Sequence, residues 1–169
     1  MRTDADHPAE TPDYWDWADG QLEPGPCVVF DVDGVLSDAS WRQFYLDGPV
    51  KEWDEFFGAC GDDPLIVEMA TMGWSLAPEL TVVLLTARPG WVRPQTLEWL
   101  RTQPIRWDLL VMRPSREVGG SHDFKRRAIE GLQQYGYDIR FAIDDDMNNV
   151  TMLRGLGIPT IYHHSGYYD

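Results

Sequence analysis

From Cys27 onward, short apolar runs alternate with stretches of helical spacing, a pattern that predicts a sheet of mainly parallel strands covered by helices on both faces. The runs at residues 28–31, 81–86, 109–112, 140–144 and 159–162 have strand length. Between them, apolar positions recur on one helical face at Val92, Leu97 and Leu100 within 91–101, at Ala128, Ile129 and Leu132 within 125–135, and at Val150, Leu153 and Leu156 within 147–156. Pro94 limits the first helix to its later turns, and Gly157 and Pro159 end the last. Right-handed crossovers would bring the carboxyl ends of the strands to one edge. The expected fold is therefore α/β, a Rossmann-like three-layer sandwich with a central parallel sheet.

Two regions depart from the alternation. Residues 1–26 hold four prolines and seven acids against one base, which reads as an extended or partly disordered lead-in, with Tyr14, Trp15 and Trp17 able to fold back on the body. Residues 37–80 are long for a single crossover and too short for a full cap domain. Within them Trp53, Phe56, Phe57 and Cys60 form an i, i+3, i+4, i+7 stripe that suits one helix. The spacing favours a core face for that stripe, with a substrate-facing role as the alternative.

Composition narrows the function. A chain of 169 residues with 43% hydrophobic content can bury a real core, and the body from residue 27 to 169 reads as one domain. A formal charge of -14 argues against a long basic groove for nucleic acid and is chiefly a matter of solubility, so an anionic substrate must be captured locally. Two cysteines far apart, Cys27 and Cys60, indicate neither a disulfide framework nor a thiolate zinc site. With no apolar stretch behind Met1 and no run of membrane-spanning length, the expectation is a cytoplasmic protein without a membrane partner.

The chemistry gathers at the strand ends. The first strand runs into Asp31-Val32-Asp33-Gly34, where alternation would let two carboxylates project on one side and Gly34 would let the chain turn sharply. By itself this is also what an ordinary acidic loop looks like. The second strand ends in Thr86-Ala87-Arg88, offering a hydroxyl, backbone N–H groups and a guanidinium to phosphate oxygens. Lys125 opens a helix near the same edge, and the fourth strand ends in Asp144-Asp145-Asp146, three repelling acids for which a divalent cation is the simplest compensation. Arg113 and Arg116, in the loop after the third strand, are candidates for a second anion. His122 reads as a surface residue, and neighbouring His163 and His164 would point oppositely on a strand.

Asp-x-Asp-Gly, strand-Thr, Lys and strand-Asp-Asp, in that order, resemble the haloacid dehalogenase (HAD) superfamily of phosphotransferases over roughly residues 27–162. Val82-Val83-Leu84-Leu85-Thr86-Ala87-Arg88, Leu110-Val111-Met112-Arg113, Lys125 and Ala142-Ile143-Asp144-Asp145 further resemble the phosphatase domain of polynucleotide kinase/3'-phosphatases. The resemblance implies a HAD-like fold with little or no cap. It also implies Asp31 as nucleophile forming an aspartyl-phosphate, Asp33 as proton shuttle, and Thr86 and Lys125 as holders of the phosphoryl group. Mg2+ would be held by the Asp31 carboxylate, the Asp33 carbonyl, and Asp144 with Asp145, the latter as direct ligand. Arg88 matches a substrate-binding position. The chain departs from these relatives in lacking a kinase phosphate loop, in carrying Asp146 where an arginine often follows the acidic pair, and in matching the acid before the motif lysine only imperfectly, at Asp123.

The expected activity is a Mg2+-dependent phosphomonoesterase, with a 3'-phosphate on a nucleic-acid end or nucleotide as first substrate. A phosphatase of small metabolites or 5'-nucleotides is the alternative within enzymes, and a noncatalytic module of the same fold is the alternative outside them. The pattern leaves a homo-oligomer open.

Overall fold

The computed structural model describes residues 11–117 and 119–169, so the first ten residues of the lead-in expected at 1–26 lie outside the described residues. Six strands, β1 (Trp15–Trp17), β2 (Pro26–Phe30), β3 (Thr81–Pro89), β4 (Leu109–Arg113), β5 (Asp138–Asp144) and β6 (Thr160–Tyr162), form one sheet in the order β1-β4-β3-β2-β5-β6. All neighbours are parallel except β1, which pairs antiparallel with β4. The lead-in thus contributes an edge strand. Trp15 is buried there and packs on Tyr135 at a ring separation of 4.9 Å.

The apolar runs are continuous because both faces of the sheet are covered. Val29, Val83, Leu85, Leu109 and Val111 point into a core closed by Phe124, Ala128, Ile129 and Leu132 of α4 (Ser121–Gln134) and Met152 and Leu153 of α5 (Met147–Gly155). The alternate residues Val28, Phe30, Val82, Leu84, Leu110 and Met112 point into a second core closed by Met69 and Ala70 of α2 (Val67–Ser75) and Trp99 and Leu100 of α3 (Arg93–Thr102). The result is the three-layer arrangement.

Register then assembles a site. Phe30 lies between Leu84 of β3 and Ile143 of β5, so the residues after β2 emerge beside Thr86 and Asp144. The β3–β4 pairing slips between Thr86 and Pro89, and this irregularity bends Ala87 and Arg88 out of the ladder. The stretch at 37–80 divides in two. Its later helix, α2, belongs to a flanking layer. Its earlier part is a 3-10 helix at Ser40–Leu46, the short α1 (Trp53–Gly58) and a 3-10 turn at Cys60–Asp62.

Candidate active site

Beyond β2 the chain folds into a tight turn in which Val32 O accepts hydrogen bonds from the N–H groups of Val35, Leu36 and Ser37. Gly34 makes the turn possible at φ +80°, a region L side chains rarely adopt. It also clears space. A Cβ there would fall inside the envelope of Asp145 Oδ2, 2.6 Å from Asp145 Cγ and 3.0 Å from Tyr167 Cε2.

The turn sends its two acids to different partners. Asp31 is buried, accepts from Val32 N–H at 2.8 Å and lies 2.9 Å from Lys125 Nζ, which also donates to Asp144 at 2.7 Å. Burial pushes the Asp31 carboxyl well above its ordinary range against the opposing pull of Lys125. For Lys125 burial acts downward, but Asp144 and Asp31 outweigh it and keep the ammonium charged far above neutral pH. Asp33 faces Arg88 at 2.7 Å and Arg42 at 2.5 Å. Burial alone would raise its carboxyl, yet the Arg88 and Arg42 guanidiniums prevail and hold it well below the usual carboxylate range.

The acids after β5 take three separate roles. Asp144 accepts from Lys125, from Asp146 N–H at 2.9 Å and from Asn149 Nδ2 at 3.1 Å. Asp146 turns away and caps α5 by accepting from Asn148 N–H at 2.8 Å. Among the described residues neither buried oxygen of Asp145 has a hydrogen-bond partner, and burial pushes its carboxyl up to about 6 against the opposing pull of nearby Ser165. Oxygens of Asp31, Asp144 and Asp145 lie within 4.8 Å of one another. A buried, oxygen-only cluster with one unpartnered carboxylate fits a hard divalent cation. The Asp33 side chain is outside this cluster, which leaves only its backbone carbonyl for the ligand role expected of it.

Thr86 is buried at the end of the β3 ladder, where its hydroxyl accepts from Arg88 N–H at 3.1 Å. Asp31, Asp33, Thr86, Ala87, Lys125 and Asn149 together line a cavity of about 380 Å3, along with aromatic residues of α1 and of the segment after β6. Of the sequence-selected residues, Asp144 and Asp145 are not among its lining, and neither is Arg88. Arg88 is fully buried, bonded to Asp33, to Ser37 Oγ at 2.9 Å, to Thr96 Oγ1 at 3.3 Å and to Asp63 at 3.1 Å. The structure therefore places Arg88 against the Asp33 carboxylate and not in the lining of the main cavity. Arg113 is half-buried at the end of β4 and lines a separate cavity of about 210 Å3 with Gly90, Arg93 and Ser115, while Arg116 is exposed. Neither reaches the main cavity.

Several residues at the site carry no motif. Arg42 is fully buried and grips Asp63 through two bonds, Nε to Oδ1 at 2.8 Å and Nη2 to Oδ2 at 2.7 Å. Ser37 Oγ and Trp41 Nε1 donate to the same carboxylate at 2.5 and 2.9 Å. Two arginines and two aspartates thus alternate beneath the cavity. From the other side, His163 Nδ1 lies 2.7 Å from Gly34 O, and the Tyr167 hydroxyl accepts from Ala39 N–H at 2.7 Å. His164 instead meets Tyr162 and Asp169, so the two histidines have separate partners.

Residues 25–168 match the family model of the polynucleotide kinase PNKP phosphatase domain. Among solved structures, a chain of a Pnkp1/Rnl/Hen1 complex is 25% identical with a TM-score of 0.66, covering 91% of this chain and 50% of that one. A chain of a Pnkp1/Rnl/Hen1 RNA repair complex is 24% identical with a TM-score of 0.67, covering 90% and 46%. A class C acid phosphatase from Bacillus anthracis with tungstate bound shares the fold at 16% identity and a TM-score of 0.57, covering 89% and 70%. The chain spans about half the length of the two complex-derived chains. Among curated protein sequences none matches this chain.

Proposed function

Because the chain belongs to the PNKP phosphatase-domain family and is a phosphatase of HAD type, we propose that it hydrolyses phosphomonoesters with Mg2+ through an aspartyl-phosphate on Asp31. The observation that carries this reading is the cluster of Asp31, Asp144 and Asp145, closed on one side by Lys125 and holding in Asp145 a buried carboxylate with no hydrogen-bond partner among the described residues. These three acids would hold the ion, with the Asp33 carbonyl as a further ligand. Bound there, Mg2+ would offset the acids and draw charge from the phosphoryl oxygens.

Asp31 attacks phosphorus, the bond to the ester oxygen breaks, and water then releases phosphate from the Asp31 acyl phosphate. Lys125 and Thr86 hold the phosphoryl oxygens as charge builds on them. Asp33 is the proton-transfer group. Two guanidiniums keep it ionised in the resting site, which suits the second step, where it takes a proton from water, better than the first, where it gives one to the leaving oxygen.

For substrate, we favour a 3'-phosphate on a nucleic-acid end or nucleotide. The family, and two similar chains solved within Pnkp1/Rnl/Hen1 complexes, one described as an RNA repair complex, support this choice. The acidic balance of the chain favours a second reading, a phosphatase of 5'-nucleotides or small metabolites. The buried free thiols of Cys27 and Cys60 support a reducing compartment. One panel decides among these readings: oligonucleotide 3'-phosphates, 3'- and 5'-mononucleotides and sugar phosphates, with Mg2+ or EDTA, using wild type and Asp31→Asn. Preference for 3'-phosphates, dependence on Mg2+ and loss in Asp31→Asn are expected. Equal rates with Asp31→Asn would remove the aspartyl-phosphate, and no preference for 3'-phosphates would remove the substrate choice.

A further inference from the structure

The wall of the main cavity contributed by α1 is aromatic, and its rings are organised from beneath. The Arg42 guanidinium lies 4.2 Å from the centroid of the buried Phe56 ring. Phe56 meets Trp53 and Phe57 edge-on, at 5.9 and 5.3 Å, while Trp53 and Phe57 lie nearly parallel to each other at 5.8 Å and 22°. Phe56 is thus the anchor, and Trp53 belongs to neither apolar core and is 50% exposed. An indole half in water in the lining of the main cavity, backed by two further rings, has an open side that can serve as a stacking surface.

We infer that Trp53, backed by Phe57 and Phe56, stacks on the terminal nucleobase of the substrate, so that the site grips one nucleoside 3'-phosphate and not the backbone beyond it. This rests on the phosphatase reading for the position of the phosphate. The cavity has an anion-holding floor in Lys125 and Thr86 and a flat aromatic side with Gln43 and Lys51 among the polar groups of its lining, which matches a ligand with a phosphate at one end and a polar-edged ring at the other. At about 380 Å3 it stands near the lower end of small-molecule sites, room for a phosphate and one attached ring system rather than for a strand. A formal charge of -14 offers no extended run of cations to neutralise further phosphates. Base stacking supplies affinity without that charge.

Binding is measured in the Asp31→Asn background with Mg2+, so that turnover plays no part. Adenosine 3'-phosphate, a 3'-phosphorylated oligonucleotide and the ring-free glycerol 2-phosphate are the probes. Adding Trp53→Ala is expected to weaken the two nucleotides by about 10- to 100-fold and glycerol 2-phosphate far less, with Trp53→Phe restoring most of the loss. Equal weakening of all three probes, or none, overturns the stacking role. Between about 50 and 200 mM salt, mononucleotide and oligonucleotide are expected to lose affinity in parallel, and a much steeper loss for the oligonucleotide would show that the backbone is tracked and overturn the single-nucleoside grip. A change of oligomeric state in Trp53→Ala with unaltered nucleotide affinity would assign the aromatic face to a second copy of the chain instead. Failure of the wild type to hydrolyse any monoester would overturn the phosphatase reading and leave the ring preference measured by binding.

Discussion

Gly34→Ala tests whether the turn after β2 and the acidic cluster share one space. The residue has φ +80°, and holding an L side chain there costs about 1–2 kcal/mol. The new methyl would also collide with the Asp145 carboxylate, with Cγ only 2.6 Å away, and press on Tyr167 Cε2 at 3.0 Å. Overpacking of this kind costs about 1–3 kcal/mol. The sum is about 2–5 kcal/mol, and for a chain of this length each kcal/mol lowers Tm by about 2–4 °C. Urea unfolding in EDTA measures the loss with ligand binding removed from the comparison. The same substitution in an Asp145→Ala background keeps the backbone cost and loses the collision with the carboxylate, so it is expected to cost only about 1–2 kcal/mol. If both backgrounds show the same cost, the collision is not its source. If Gly34→Ala unfolds like the wild type, the turn does not require glycine and the reasoning fails. Because the side chain displaced is a proposed ion ligand, Gly34→Ala is also expected to need more Mg2+ for half-maximal hydrolysis.

Asp145→Asn removes a carboxylate whose ionisation is penalised by burial, so above about pH 6 the metal-free protein is expected to gain about 1–3 kcal/mol in urea unfolding while the Tm rise on adding Mg2+ disappears; a Tm rise equal to wild type would take Asp145 out of the ion site. Asp63→Ala leaves Arg42 and Arg88 buried with Asp33 as their remaining carboxylate, and is expected to cost about 3–5 kcal/mol by the same measurement. A loss under 1 kcal/mol would mean that water compensates the arginines. Burial pushes the Cys27 thiol up to about 12, and because a raised thiol pKa depletes the thiolate, only about one molecule in 10,000 carries it at pH 8. Native alkylation followed by mass spectrometry should leave Cys27 unmodified at that pH and modified in urea, and rapid native labelling would contradict its burial.

Strands β2, β3 and β4 were legible in the sequence because they are buried on both faces, so their apolar runs are unbroken. The limits came from side chains whose role depends on distant partners. Strand β3 continues to Pro89, past the predicted end at 86, and includes Arg88, whose charge is met inside the protein by Asp33 and Asp63. Nothing local marks Arg42 and Asp63 as a pair, since 21 residues and several short helical turns separate them. Strand β1 is three residues long, too short for any periodicity to declare it. The aromatic stripe shows a different limit. Helix α1 ends at Gly58, so Cys60 enters the core while Trp53 opens on the cavity, and the stripe that suited a core face is divided between the two. Spacing identifies residues that share a face but not what that face meets. Asp144, Asp145 and Asp146 are told apart in the sequence by the family resemblance alone, and the structure adds the partners: a lysine for Asp144, none among the described residues for Asp145, and a helix N-terminus for Asp146.

The charges around the cavity bear on how an acidic protein admits an anionic substrate. Lys125, Arg42 and Arg88 stand against Asp31, Asp33, Asp63, Asp144 and Asp145, so the ionised site carries an excess of two negative charges. Both arginines are spent on Asp33 and Asp63, which leaves Lys125 as the cation among the cavity-lining groups nearest Asp31. A phosphate dianion approaching the metal-free site would meet repulsion that one shared ammonium does not cancel. A divalent cation supplies the missing charge, so in the proposed reaction Mg2+ would govern substrate entry as well as the chemical step. Once its charge is supplied the site is near neutral and attracts anions only at short range. Selectivity must then come from the part of the substrate that is not phosphate, which is where the aromatic wall of α1 stands.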